Sequence, residues 1–105
     1  MTGRTELPGV GKATTCEAAA YHRPKPLRYV WHHVLPEACD GPTTPANLVS
    51  LCDGCHYSCH VLMWWLANGG LPPGLKGTRK QLAIAFDGYT QAQDNGTIGK
   101  IPKEA

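Results

Sequence analysis

The stretch Cys52-Asp53-Gly54-Cys55-His56-Tyr57-Ser58-Cys59-His60 gathers three cysteines and two histidines into nine positions. Cys52 and Cys55 form a CxxC pair. That spacing lets two thiolates close on one Zn²⁺ at about 2.3 Å each around a tight turn, which Gly54 eases. The bland alternative is a chance pair of buried thiols, but in a chain with five histidines metal binding is the stronger reading. His56 and His60 stand four apart. On a helix that spacing puts both imidazoles on one face, one turn apart, where they can grip a single ion or simply face solvent.

The helix that the histidines need is readable around them. Asp53 is a suitable N-cap, and Cys55 through Leu66 contains neither Pro nor Gly. Asn68-Gly69-Gly70 ends the helix and Pro72-Pro73 forbids its return. A second, shorter helix is predicted from about Thr78 to Phe86. Upstream, Leu27-Arg28-Tyr29-Val30-Trp31-His32-His33-Val34-Leu35 is rich in β-branched and aromatic residues and is stopped by Pro36, the best strand candidate in the chain. Residues 36–46 form a loop built on Pro36, Asp40-Gly41-Pro42 and Pro45. Asn47-Leu48-Val49-Ser50-Leu51 follows as a short second strand, completing a hairpin with a long loop. Two prolines in three positions exclude a helix over His22-Arg23-Pro24-Lys25-Pro26.

At the ends the pattern fades. Residues 1–15, with three Gly and one Pro, read as a flexible N-terminal tail, and residues 91–105 as a flexible, polar C-terminal tail. One domain is expected over residues 16–90, in the order strand, loop, strand, helix, helix. That order makes it a small α+β domain. Leu62, Met63, Trp64, Leu66, Tyr29 and Trp31 read as core. A base-stacking wedge is the less direct reading of Trp64 or Trp65.

Composition narrows the class. A chain of 105 residues excludes a second domain, a large α/β enzyme and a repeat array. Such a chain buries only about 60–70% of its unfolded surface. Twelve Gly and nine Pro make one residue in five a turn former, so a staple such as a metal is expected. Ten basic against eight acidic residues give +2, which does not by itself imply nucleic acid. The distribution says more. Arg23, Lys25 and Arg28 form one cluster, Lys76, Arg79 and Lys80 another, and Val30 to Ala67 holds no Lys or Arg. Cationic shoulders around a neutral centre suit a chemical site that meets phosphates, although solvated surface charge is the plainer account of either cluster alone. No apolar run approaches the roughly 20 residues of a membrane span, and no leader is visible in residues 1–15. A cytoplasmic setting with reduced thiols is therefore expected, and five cysteines suit a closed disulfide framework poorly.

Taken together, His32-His33, then Asn47 fourteen residues after His33, then Cys52-Asp53-Gly54-Cys55-His56 and His60, resemble an HNH endonuclease, a member of the ββα-metal (His-Me finger) nucleases. The resemblance covers about 30 residues and implies a set of roles. His33 would be the general base that activates water, since a neutral imidazole can take a proton at physiological pH. His32, His56 and His60 would hold the catalytic divalent ion, as in the three-histidine branch of the family. Asn47 would reach across the loop and hold the strand that carries the base. Three neutral ligands suit borderline ions such as Zn²⁺, Ni²⁺, Co²⁺ or Mn²⁺, and the catalytic ion is expected to be one of Mg²⁺, Mn²⁺, Ni²⁺ or Zn²⁺.

Relatives stapled by zinc use two CxxC pairs flanking the catalytic strand. Here the upstream pair is reduced to Cys16. Cys16, His22, Cys52 and Cys55 are the expected ligands of a structural zinc, with Cys39 and Cys59 as alternatives for the fourth. Arg23, Lys25, Arg28, Arg79 and Lys80 are the expected DNA contacts. Free-standing proteins of this size resemble phage-encoded nucleases that act with a terminase in the bacterial host, which makes DNA and a terminase the implied partners. The rival reading is a non-catalytic zinc module that binds nucleic acid or protein and leaves His33 idle. A thiol-redox protein working through Cys52 and Cys55 would need a thioredoxin-like frame, which the pattern lacks.

Overall fold

The computed structural model describes residues 4–18 and 28–103. Four strands and two helices follow in order: β1 Glu6–Leu7, β2 Gly11–Lys12, β3 Tyr29–His33, β4 Leu48–Cys52, α1 Asp53–Ala67 and α2 Arg79–Asp94. The fold is α+β, consistent with a ββα-metal unit extended by a second helix. The long-loop hairpin reads as expected in kind. β3 and β4 pair antiparallel, with His33 opposite Leu48 and Tyr29 opposite Cys52.

This two-stranded ribbon is marginal alone, and both of its edges would expose unpaired backbone. Residues of the segment read as an N-terminal tail cover the β3 edge, and Glu17, just beyond that segment, covers the β4 edge. On the β3 side, the Trp31 amide donates to the Arg4 carbonyl at 2.8 Å, and the Trp31 indole donates to the Gly11 carbonyl at 3.0 Å. On the β4 side, the Glu17 amide donates to the Ser50 carbonyl at 2.8 Å, while the Ser50 amide donates to the Glu17 carboxylate at 2.8 Å. Trp31 and Ser50 are opposite one another in the ribbon, so the outward groups of one residue pair are satisfied on both sides. Leu7 and Ala13, within the β1–β2 hairpin and just after it, are buried.

α1 starts one residue earlier than the sequence suggests. Cys52, not Asp53, is the N-cap, because its sulfur accepts the Cys55 amide at 3.3 Å. Asp53 falls in the first turn, where its carboxylate opposes the positive end of the helix dipole. Asn68 closes the helix: its amide donates to the Trp65 carbonyl at 3.1 Å and its side chain to the Trp64 carbonyl at 2.8 Å.

α2 is longer than expected and runs through Gly88 to Asp94. A helical glycine normally weakens a helix. Here it permits close packing, since a Cβ at Gly88 would lie 2.2 Å from the Val34 carbonyl oxygen and 2.8 Å from the Met63 sulfur. Ala92 in the last turn of α2, and Thr97 and Ile101 beyond the helix, are buried, so residues 91–103 are not uniformly polar surface. The Asn95 side chain donates to the Cys39 carbonyl at 3.0 Å, fastening this segment to the loop after β3.

The apolar core has two parts. One lies between α1 and α2 around Leu35, Cys39, Leu62, Met63, Ala85, Ala92 and Ile101. The other joins Ala18, Leu51, Cys52, Cys55 and Cys59 under the ribbon. Of the residues read as core, Leu62 and Met63 are fully buried, while Tyr29, Trp31, Trp64 and Leu66 are half-buried.

Candidate functional site

α1 carries metal-ligand types on two neighbouring sides, because Cys55 and His56, like Cys59 and His60, are consecutive on the helix. Turning β4 directly into α1 aims His56 and His60 at β3. There His32 points inward, being fully buried at 0% exposure. The three rings meet edge to face, with centroids 5.3 Å apart for His32–His56, 4.9 Å for His32–His60 and 4.7 Å for His56–His60. One nitrogen from each ring lies within 4.8 Å of the others.

The polar accounting of this cluster is incomplete without a cation. His32 Nδ1 and Nε2 and His60 Nδ1 are buried and have no hydrogen-bond partner among the described residues. Burying such groups unpaired costs about 1–3 kcal/mol each. His56 Nε2 and His60 Nε2 approach to 3.1 Å. Two imidazoles bound to one ion at about 2.0–2.1 Å bring their nitrogens about 2.9–3.4 Å apart. Burial holds all three imidazoles neutral. Desolvation pushes His32 well below the ordinary histidine value, helped by the charges of His60, His56 and His33. Desolvation and then Arg28 bring His56 down to about 4, against a smaller opposing pull from Asp53. Desolvation and then His56 bring His60 to about 3. A neutral imidazole keeps the lone pair that a metal needs. The donor set therefore fits a divalent ion.

His33 lies beside this cluster and faces the other way, as adjacent strand residues must. Its Nε2 meets Thr43 Oγ1 at 2.9 Å and the Glu37 carboxylate at 3.9 Å. Both partners come from the loop between β3 and β4, and nothing in the local sequence pattern distinguished them from other loop residues. Asn47 is buried and spans that loop. Its Oδ1 accepts the Leu35 amide at 2.9 Å, and its Nδ2 donates to the Leu35 carbonyl at 3.0 Å and the Pro42 carbonyl at 2.9 Å.

The thiols form a second, separate group. Cys16, Cys52 and Cys55 place their sulfurs within 4.8 Å of one another. The Glu17–Ser50 pairing on the edge of β4 brings Cys16 there. Neither Cys39 nor Cys59 belongs to this group. Cys39 donates to the Thr97 carbonyl at 3.4 Å and Cys59 to the Gln81 carbonyl at 3.8 Å, so both serve packing contacts. Sequence reasoning missed Gln81. Its amide donates to Cys55 Sγ at 3.3 Å while its Oε1 accepts the Thr78 amide at 3.0 Å in the α2 capping box. Desolvation pushes Cys55 up to about 12, Gln81 opposing, and pushes Cys59 up to about 12 as well. A redox CxxC needs the opposite shift, toward thiolate. A bound dication instead deprotonates the thiols outright.

Of the expected DNA contacts, Arg79 and Lys80 are exposed in the first turn of α2. Arg28 sits at the foot of β3, where its guanidinium donates to Thr5 Oγ1 at 3.2 Å and its charge is felt at His56. His22, Arg23 and Lys25 lie outside the described residues.

Comparison with known families agrees with this geometry. The family model for HNH endonuclease matches residues 23–61. Over those residues the chain is similar to HNH endonucleases. The matched span holds β3, β4 and the first half of α1, and with them His32, His33, Asn47, His56 and His60. It also holds Cys52 and Cys55, whereas Cys16 and α2 lie outside the HNH segment. None of the curated proteins or solved structures matches the chain. HNH domains are nuclease-type domains that use metal ions and act on DNA. No helix of the described residues is long and apolar enough to cross a membrane.

Proposed function

We propose that the protein is a metal-dependent DNA endonuclease hydrolysing phosphodiester bonds. The observation that carries this reading is His32, a fully buried imidazole whose two nitrogens lack partners among the described residues and which faces His56 and His60. His32, His56 and His60 would hold a divalent ion, which would supply Lewis-acid stabilisation of the charge that develops in phosphodiester hydrolysis.

His33 takes the proton of the attacking water. Its Nε2 meets Thr43 Oγ1 at 2.9 Å, and in the tautomer protonated at Nδ1 a water taking the place of that hydroxyl donates to the Nε2 lone pair. Glu37 stands 3.9 Å away and steadies the imidazolium that results. Asn47 is a positioning residue: it ties the backbone two residues beyond His33 to the far side of the loop and keeps the base from drifting. Arg28, next to His56, meets the phosphate beside the one being cut. Arg79 and Lys80 open α2 with positive charge where the helix dipole is already positive, an arrangement that an anion such as DNA relieves. Arg23 and Lys25, basic residues a few positions before Arg28 in the sequence, are proposed as further phosphate contacts.

Cys16, Cys52 and Cys55 hold a structural zinc, with His22 as the fourth ligand. The separation of thiol and histidine groups argues against a purely structural zinc module, which would leave the second group without a task. In its biological setting the protein assists a phage terminase in the cytoplasm of the bacterial host.

The test is nicking of supercoiled plasmid by protein stripped of exchangeable metal, with Mg²⁺, Mn²⁺, Ni²⁺ and Zn²⁺ added back singly. Nicking that depends on the ion and disappears in His33→Ala supports the reading. Nicking that survives equally in His33→Ala removes His33 from its role, and absence of nicking with every ion favours a binding module.

A further inference from the structure

The side of α1 next to the histidine cluster carries a groove that the proposed reaction does not use. Tyr57, Val61, Trp64, Trp65 and Lys103 line a cavity of about 150 Å³. Tyr57 is 58% exposed, which is unusual for a tyrosine in a small domain with so few aromatic residues to bury. Trp64 and Trp65 meet edge to face, with centroids 5.0 Å apart and planes at 84°. Lys103 holds its ammonium 5.3 Å from the centre of the Trp64 ring.

Three properties select the occupant. The first is size, since a cavity of about 150 Å³ accommodates one benzene-sized ring and is far too small for a helix or a strand. The second is chemistry. Flat aromatic walls stack on a planar ring, and the ammonium over Trp64 marks a face that already attracts positive charge but can release it to a phosphate. The third is position. Trp64 follows His60 by four residues, so it continues the His56–His60 line one turn further along α1, about 6 Å up the axis. Adjacent nucleotides of a strand whose phosphate is held at the histidines pass over this groove.

We propose that this groove is a subsite for one unpaired pyrimidine base of the DNA strand. The base stacks on the face of Trp64 and meets Trp65 edge to face, with Tyr57 as the remaining wall, and Lys103 leaves the Trp64 face to pair with that nucleotide's phosphate. The proposal rests on the DNA-directed reading above and adds to it a preference for a flipped or single-stranded pyrimidine next to the cut.

The test compares binding of the full chain, without added divalent ion, to three dye-labelled pentanucleotides: oligothymidylate, oligoadenylate and an abasic strand of equal charge. Fluorescence anisotropy gives each Kd. Stacking of one base predicts that oligothymidylate binds about 5- to 150-fold tighter than the abasic strand, and tighter than oligoadenylate. Tyr57→Ala, at an exposed position, and separately Trp65→Ala should each bring oligothymidylate toward the abasic value. Lys103→Ala should weaken all three probes alike. Equal Kd for oligothymidylate and the abasic strand overturns the subsite, as does a full ratio retained in both aromatic variants. Tighter oligoadenylate overturns the pyrimidine assignment. A large ratio in a protein that never nicks plasmid removes the nuclease and leaves the subsite. Nicking with a ratio of one removes the subsite alone.

Discussion

Replacing His32 by leucine has two effects of opposite sign. Leucine has a similar volume and no polar atoms. In protein without exchangeable metal, His32→Leu removes two buried nitrogens that have no partner, a relief of about 1–3 kcal/mol for each group. It also loses two edge-to-face ring contacts, with His56 and His60, worth about 0.5–1.5 kcal/mol each. The central balance is a gain of about 2 kcal/mol, which raises Tm by several degrees, about 4 °C or more per kcal/mol, in a chain of this size. In the presence of Ni²⁺ or Zn²⁺ the order reverses. Wild type gains about 2.7 kcal/mol at a metal concentration a hundredfold above Kd, whereas the variant, short of one ligand, gains little. Thermal unfolding of both proteins, with and without metal, reads both effects. A variant that is less stable than wild type without metal, yet gains equally when metal is added, would falsify the assignment of this cluster as an ion site.

Other expectations follow from the same contacts. The neutral state of the histidines makes metal-free protein acid-sensitive. His56 and His60 are held at about 4 and about 3 in the folded chain, below the ordinary value near 6.5, so the unfolded chain binds more protons in between. Their stabilising contribution is fully present above about pH 6.5 and is lost as pH falls toward those lower values. The slope is about 1.4 kcal/mol per imidazole per pH unit. Denaturant midpoints measured from pH 7 to pH 5 should fall steeply, and a flat profile contradicts the buried cluster. Asn47→Ala leaves the Leu35 amide and carbonyl without their partner and should cost about 2–4 kcal/mol. Plasmid nicking should fall more than stability explains, and equal kcat in wild type and variant at a temperature where both are folded refutes the positioning role. Gly88→Ala forces a Cβ against the Val34 carbonyl and should destabilise by about 1–3 kcal/mol, and an unchanged Tm contradicts the close approach of α2 to that loop. Gln81→Leu removes the hydrogen bond to Cys55 Sγ and should weaken zinc retention about 10- to 100-fold in chelator competition. Unchanged retention means that Gln81 serves the α2 cap alone.

Much of the architecture is local and therefore readable. The four-residue spacing of His56 and His60 places them on one helix face whatever surrounds the helix, because the pitch of the helix does not depend on context. The Cys52–Cys55 turn, the break at Pro36 and the stop at Asn68-Gly69-Gly70 are similarly set within a few residues. The composition also announced a staple, as a loop-rich chain of this size has little core. Where a local rule misled, a longer-range contact was responsible. The second helix was expected to end near Phe86, and it runs on because Gly88 allows close packing against Val34 and Met63. Asp53 looked like the cap, and the Cys52 sulfur took that role by accepting the Cys55 amide.

The sequence alone thus determined the helix and strand types, the pairing of histidines on α1, the thiol turn and the resemblance to a nuclease family. Only the tertiary structure decided what meets them. His32 reaches His56 and His60 because β3 pairs with β4 in one register; a slip of one residue would turn His33 inward instead. Cys16 arrives through a pairing with Ser50 that spans more than thirty residues. Gln81 and Lys103 reach α1 from elements whose position depends on burial of the Leu62–Met63 core. Such contacts have no period in the sequence, since they are fixed by which apolar faces pack together rather than by backbone geometry.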